Sequence, residues 1–142
     1  MKYLLFFLPL CSFAQVEPFA GINAGVNFGT GLHAGAEAGV SFNRRFIASV
    51  DYTAYFGVFN KHAAGVKVGV ATIYKDSDGL CPVYVIAGAS QGHYRGADGK
   101  PYQSITPTFA VRVQTYNGYW EAGRQNGFWS FTVGYQFRRI YQ

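Results

Sequence analysis

Eight antiparallel β-strands following one another along the chain are what this sequence predicts, and three observations carry the prediction. Apolar residues alternate with small or polar ones at a period of two from Phe19 to the C-terminal region, the mark of strands whose two faces meet different surroundings. Clusters of Gly, Asn and Asp interrupt the alternation at short intervals, as hairpin turns require. No segment sustains a helical period, and no apolar run reaches the roughly 20 residues that a membrane-spanning helix needs. The 142 residues fit a single domain, yet only 13% are charged while 49% are hydrophobic and 18% aromatic. A water-soluble domain carries about 25% charged residues, so a medium other than water faces much of this surface.

The chain opens with Lys2 as a minimal positive region, an apolar stretch from Tyr3 to Leu10, and the small-x-small triplet Ser12-Phe13-Ala14. This reads as a secretory signal peptide over residues 1–14, with residues 15–142 as the mature domain. A lipid anchor on Cys11 is the competing reading, and bulky Leu10 before it speaks against that. Cleavage would remove Lys2 and Cys11, lowering the formal charge of +5 by one and leaving Cys81 without an internal disulfide partner.

The first strand sets Ile22, Ala24, Val26 and Phe28 against Gly21, Asn23, Gly25 and Asn27, and Gly29-Thr30-Gly31 turns the chain. The second sets Leu32, Ala34, Ala36, Ala38, Val40 and Phe42 against His33, Gly35, Glu37, Gly39 and Ser41. After the turn Asn43-Arg44-Arg45, the third sets Phe46, Ala48, Val50, Tyr52, Ala54, Phe56 and Val58 against Ser49, Asp51, Thr53, Tyr55 and Gly57. Asn60-Lys61-His62 is the next expected turn. The fourth strand then has Ala64, Val66, Val68, Val70 and Tyr74 opposite Gly65, Lys67, Gly69 and Ala71, and Asp76-Ser77-Asp78-Gly79 supplies strong turn chemistry. The fifth, Pro82 to Tyr94, is ambiguous because Val83, Val85, Ala87 and Ala89 face Tyr84 and Ile86, so both faces are apolar.

Arg95 to Gln103 reads as the longest connection. The sixth strand sets Phe109, Val111 and Val113 against Thr108, Ala110, Arg112 and Gln114. Asn117-Gly118 and Asn126-Gly127 bracket a short seventh strand with Trp120 and Ala122 opposite Glu121 and Gly123. The eighth sets Trp129, Phe131, Val133, Tyr135 and Phe137 against Ser130, Thr132, Gly134 and Gln136.

An even-stranded meander of this length closes into a barrel. The polar face is dominated by Gly, Ser, Thr and Asn and is too poor in Lys and Glu to be a solvated exterior, so it suits a narrow lumen. The apolar face, with aromatic residues near strand ends, suits lipid. The predicted fold is therefore an all-β, eight-stranded antiparallel up-and-down transmembrane β-barrel.

A cleavable signal, an eight-strand meander and a last strand of alternating aromatics together resemble the small outer-membrane β-barrel proteins of Gram-negative bacteria, of the outer-membrane protein A and X type. The resemblance covers nearly all of residues 15–142 and rests on pattern. It implies an outer-membrane location, contact with outer-membrane lipid, and recognition by the barrel-assembly machinery through Trp129, Phe131, Val133, Tyr135 and Phe137. In that family a terminal aromatic commonly ends the chain; here Arg138 to Gln142 follows Phe137, and Tyr141 has the same parity.

With the polar faces inward, His33, Glu37, Asp51, Lys67, Arg112 and Glu121 all point into the lumen. Opposite charges meeting there would pair and plug the barrel, since an unpaired buried charge is costly; a narrow pore through the same network is the alternative. The expected role is structural or surface-interacting. Tyr94, Arg95 and Tyr102 in the longest connection are the candidates for an external interaction loop, because loops carry function and Tyr and Arg favour interfaces. A soluble calyx binding a small apolar ligand is the other barrel reading.

Enzymatic candidates are loose. Some small outer-membrane barrels that resemble this chain modify lipids using His, Ser and acidic residues; His93 beside Ser90 and Gln91, or His33 with Glu37, are the only candidates here, and Ser90 and His93 are three apart and fall on opposite faces. Metal ligands are scattered, so no metal or cofactor is expected. The basic residues form no patch interleaved with exposed aromatics, which argues against nucleic acid. A monomer is expected.

Overall fold

The computed structural model describes residues 15–56, 61–73, 81–95, 100–125 and 127–138. They form eight strands: β1 (Val16–Asn27), β2 (Gly31–Phe42), β3 (Phe46–Phe56), β4 (Lys61–Ile73), β5 (Val83–Arg95), β6 (Pro101–Gln114), β7 (Gly118–Gln125) and β8 (Phe128–Arg138). Each pairs antiparallel with its sequence neighbour, and β8 pairs with β1, closing an up-and-down barrel. Closure removes the open sheet edges that a lipid environment cannot satisfy.

The register fixes the shape. Cross-strand partners followed once round the wall run from Val16 through Phe42, Phe46, Val70, Val85, Val111, Ala122 and Phe131 back to β1 at Val26, ten residues further along. A stagger of this kind tilts the strands by roughly 35–45° and leaves a bore just wide enough for side chains. Every residue on that path lies on the outer face. Outward positions along the barrel are exposed, among them Ile22, Val50, Val66, Val68, Phe109 and Phe137. Most inward positions of the barrel's middle are buried, and the buried residues are mostly polar.

The face assignments read from the alternation hold in all eight strands among the described residues. In β5 the ambiguity resolves in favour of Val85 and Ala87 outside, with Tyr84 and Ile86 fully buried inside. Ile47 and Phe19 also turn inward; Phe19 lies directly opposite Gly39, whose missing Cβ leaves room for the ring.

Several boundaries differ from the sequence expectation. Lys61 and His62 belong to β4, paired with Tyr55 and Ala54, and not to a turn. The connection expected from Arg95 to Gln103 shortens to residues 96–100, because Arg95 pairs with Pro101 and Tyr94 with Tyr102. Proline within β6 is possible because of which way its missing donor would point. The Gln114 N–H donates to the Pro82 carbonyl on the β5 side, so by alternation the odd residues of β6 direct their N–H groups away from β5. Among the described residues β6 pairs with β7 only over Phe109–Gln114, so Pro101 and Pro107 would lack donors only on a side where no strand is paired.

The turn at Asn43-Arg44-Arg45 forms as expected, with Asn43 and Arg44 in the left-handed region (φ 50° and 54°). Val58, Tyr74, the Asp76-Ser77-Asp78-Gly79 turn, Asn126, Tyr141 and the 1–14 segment lie outside the described residues.

Candidate functional site

Inside the barrel five acidic and basic side chains from five strands meet in one alternating chain. Arg112 of β6 reaches Glu121 of β7 (Nη2 to Oε2, 2.6 Å; Nε to Oε2, 2.8 Å) and Glu37 of β2 (Nη2 to Oε1, 3.0 Å). Lys67 of β4 donates to Glu121 Oε1 at 3.2 Å and lies 3.7 Å from Asp51 Oδ1 of β3. The sequence Glu37, Arg112, Glu121, Lys67, Asp51 thus crosses the lumen. Strand alternation puts each head group inside, and the barrel's narrow bore brings non-adjacent strands within ion-pair distance.

Neutral groups complete the network. Ser49 Oγ donates to Glu37 Oε1 at 2.7 Å, Gln125 Nε2 to Glu121 Oε1 at 2.7 Å, and Thr53 Oγ1 lies 3.4 Å from Asp51 Oδ2. The Tyr119 ring stacks against the Arg112 guanidinium, 3.9 Å from Cζ to the ring centroid, adding a cation–π contact to a cation that solvent does not reach. Tyr119 occupies this position because Gly134, directly opposite on β8, leaves its ring the space.

Apolar side chains fill the end nearest the β2–β3 and β4–β5 connections. Ile47, Tyr84, Ile86 and Ala110 pack as one buried cluster with Ala71 against it, and the Tyr84 hydroxyl donates to the Arg44 carbonyl at 2.6 Å. The opposite end holds Asn27, whose Oδ1 accepts from the N–H groups of Gly29 and Thr30 and whose Nδ2 donates to the Gln125 carbonyl. His33 sits near that end, Nε2 3.0 Å from Thr132 Oγ1 and its ring 5.6 Å from Tyr55. It is the one sequence-selected lumen residue that joins none of the ion pairs described here.

The sequence reading did not single out Ser49, Tyr119 or Gln125. Their inward parity was readable, but nothing in the sequence says which inward residues come within hydrogen-bond distance across the bore. Of the residues selected for an external loop, Tyr102 is exposed near the start of β6; Tyr94 and Arg95 end β5, and their side chains lie outside the described part. Ser90 faces the lumen, 3.3 Å from Thr106 Oγ1, while His93 is directed outward against His62. Glu37 is engaged by Arg112 and by the Ser49 hydroxyl, while His33 meets Thr132.

An outer surface of exposed Val, Phe and Trp around a charged, buried interior defines the class: in fold, this is a small eight-stranded barrel of the outer-membrane type. Comparison with solved structures agrees. The chain is similar to the N-terminal β-barrel domain of OprF from Pseudomonas aeruginosa, with a TM-score of 0.58 at 16% identity over 87% of this chain and 99% of that one. Weaker similarities are to Neisserial surface protein A (TM-score 0.46, 17% identity, 89% and 96% covered) and to Ail, the attachment invasion locus protein of Yersinia pestis (0.41, 11%, 87% and 97%). No protein-family model matches the sequence, and no curated protein does.

Proposed function

We propose that this protein resides in a Gram-negative outer membrane as a monomeric, non-enzymatic barrel with a closed lumen, serving a structural or surface-interaction role. The observation that carries the reading is the inversion of the usual protein pattern. Val68 is 60% exposed on the outer wall while Arg112 is 0% exposed inside. Water would penalise the first arrangement and only a lipid exterior makes sense of both. A calyx for an apolar ligand would need an apolar bore; here the bore holds five acidic and basic side chains across its middle.

Closure of the lumen rests on the same chain of ion pairs together with the Ile47, Tyr84, Ile86 and Ala110 cluster. Secretion through a signal over residues 1–14, and assembly through Trp129, Phe131, Val133, Tyr135 and Phe137, complete the reading; all five of these aromatic and apolar side chains are exposed on β8. Both β1 and β8 begin and end the barrel at one side, which we place in the periplasm. The β5–β6 hairpin then projects outward, and with Tyr94, Arg95 and Tyr102 it is the surface offered to a partner.

Fractionation tests the location. The protein should remain with membranes until detergent is added, and should migrate differently on a gel before and after heating. Recovery in the soluble fraction without detergent would favour the calyx. For orientation, Cys81 is replaced and a single cysteine is placed at Lys100 or at Asn117. A membrane-impermeant thiol reagent on intact cells should label only the first; labelling only at Asn117 would invert the assignment.

A further inference from the structure

We propose that the outer rim of the barrel carries a binding site for a divalent transition-metal ion, formed by His62 and His93. The chain has three histidines, and two of them meet. His62 on β4 is directly opposite His93 on β5, both turned to the outer face, with ring centroids 5.1 Å apart and planes within 18° of parallel. Tyr52 extends the stack, its ring 6.0 Å from His62.

The surroundings mark the pair as unusual for its level on the wall. Near this end the outer face of β1–β3 carries Phe28, Leu32 and Phe56, all exposed and apolar. On β4–β6 the outward positions include His62, Gln91, His93 and Gln103 beside the exposed Ile105, with the Gln91 amide donating to Gln103 Oε1 at 3.4 Å. Gln103 is directly opposite His93. The polar patch is contiguous, and it stands where the hairpin leaves the apolar band for water.

Two imidazoles on facing strands are borderline-soft ligands, matched to Cu²⁺, Ni²⁺ and Zn²⁺ and poorly matched to Ca²⁺ or Mg²⁺. Nitrogens that share one ion at about 2.0–2.1 Å each lie no more than about 4 Å apart. To share an ion the two rings must turn out of their stack so that both in-plane lone pairs converge on it, a side-chain rearrangement that needs no change in the β4–β5 register. Among the described residues no third His, Cys, Asp or Glu joins the pair, so water fills the remaining positions and the ion stays exchangeable. Copper(II) binds most tightly in the divalent series and is the probe of choice.

The test uses the whole mature chain, free of any histidine tag, folded in zwitterionic detergent micelles. Titration with Cu²⁺ followed by calorimetry and electron paramagnetic resonance should give one equivalent bound, with a spectrum reporting two nitrogen ligands. His62→Gln or His93→Gln should each weaken binding at least tenfold, and the double substitution should remove it. Both positions are on the outer wall, and unheated gel mobility verifies that each variant is folded. Copper should also raise the thermal unfolding temperature of the unaltered chain and not that of the double variant, since an ion that joins β4 to β5 binds only the folded state. Undiminished one-equivalent binding by the folded double variant, or no binding by the unaltered chain, would overturn the proposal.

Discussion

Arg112 holds two carboxylates at once from a position that solvent does not reach. Its removal is therefore more than the loss of a contact, because Glu37 and Glu121 stay buried with less compensation. We expect Arg112→Leu to cost about 3–5 kcal/mol, the range for breaking a buried pair. Arg112→Leu combined with Glu121→Leu should cost less than the two single changes added together. Urea unfolding in micelles, followed by tryptophan fluorescence, gives both quantities. Strict additivity would mean that the charges act independently. Gly134 offers a second residue-scale test. A side chain there would displace the Tyr119 ring from the Arg112 guanidinium, so Gly134→Val should destabilise by about 1–3 kcal/mol, whereas Gly127→Asn, at a positive-φ turn position with open space around it, should cost far less.

A strand in this protein has one exposed apolar face and one face turned to the lumen, and the two faces should respond differently to the same substitution. Val68→Arg, on the outer face of β4 near the middle of the apolar band, should cost about 2–4 kcal/mol, while Asn117→Arg in the β6–β7 connection should cost almost nothing. Equal tolerance at both would remove the lipid from the account. The alternation that supports this prediction was legible from sequence because a period of two survives any error in where a strand starts. Boundaries were less legible. Lys61 and His62 have the composition of a turn, but cross-strand pairing to Tyr55 and Ala54 recruits them into β4. Pro101 looks like a terminator and instead opens β6, since its missing donor would face no strand. Arg112 with Glu121 and Lys67 with Asp51 join adjacent strands, but the cross-lumen pairs Lys67 with Glu121 and Arg112 with Glu37 were not legible, because β4 and β7, or β2 and β6, become neighbours only when the barrel closes. The facing of His62 and His93 depends likewise on the β4–β5 register, which the sequence between them does not specify.

Among the described residues the lumen holds the apolar cluster toward one end, the ion-pair chain across the middle, and Asn27, His33, Tyr55 and Gln125 toward the other. Such an interior should pass little current. In planar bilayers, protein whose folded insertion is verified by gel mobility should show no large steady conductance; large steady currents would turn Lys67, Arg112 and Glu37 from plugging pairs into pore-lining groups.

The proposed membrane location requires the apolar wall to meet lipid. Nitroxide labels placed one at a time at Val50, Val68, Phe109 and Val133, in vesicles, measure it directly through collision with molecular oxygen and with a water-soluble paramagnetic chelate. The account requires high oxygen access and protection from the chelate at these four sites, with the opposite at Lys100 and Asn117. Free access of the chelate to labels at Val68 and Phe109 would contradict it.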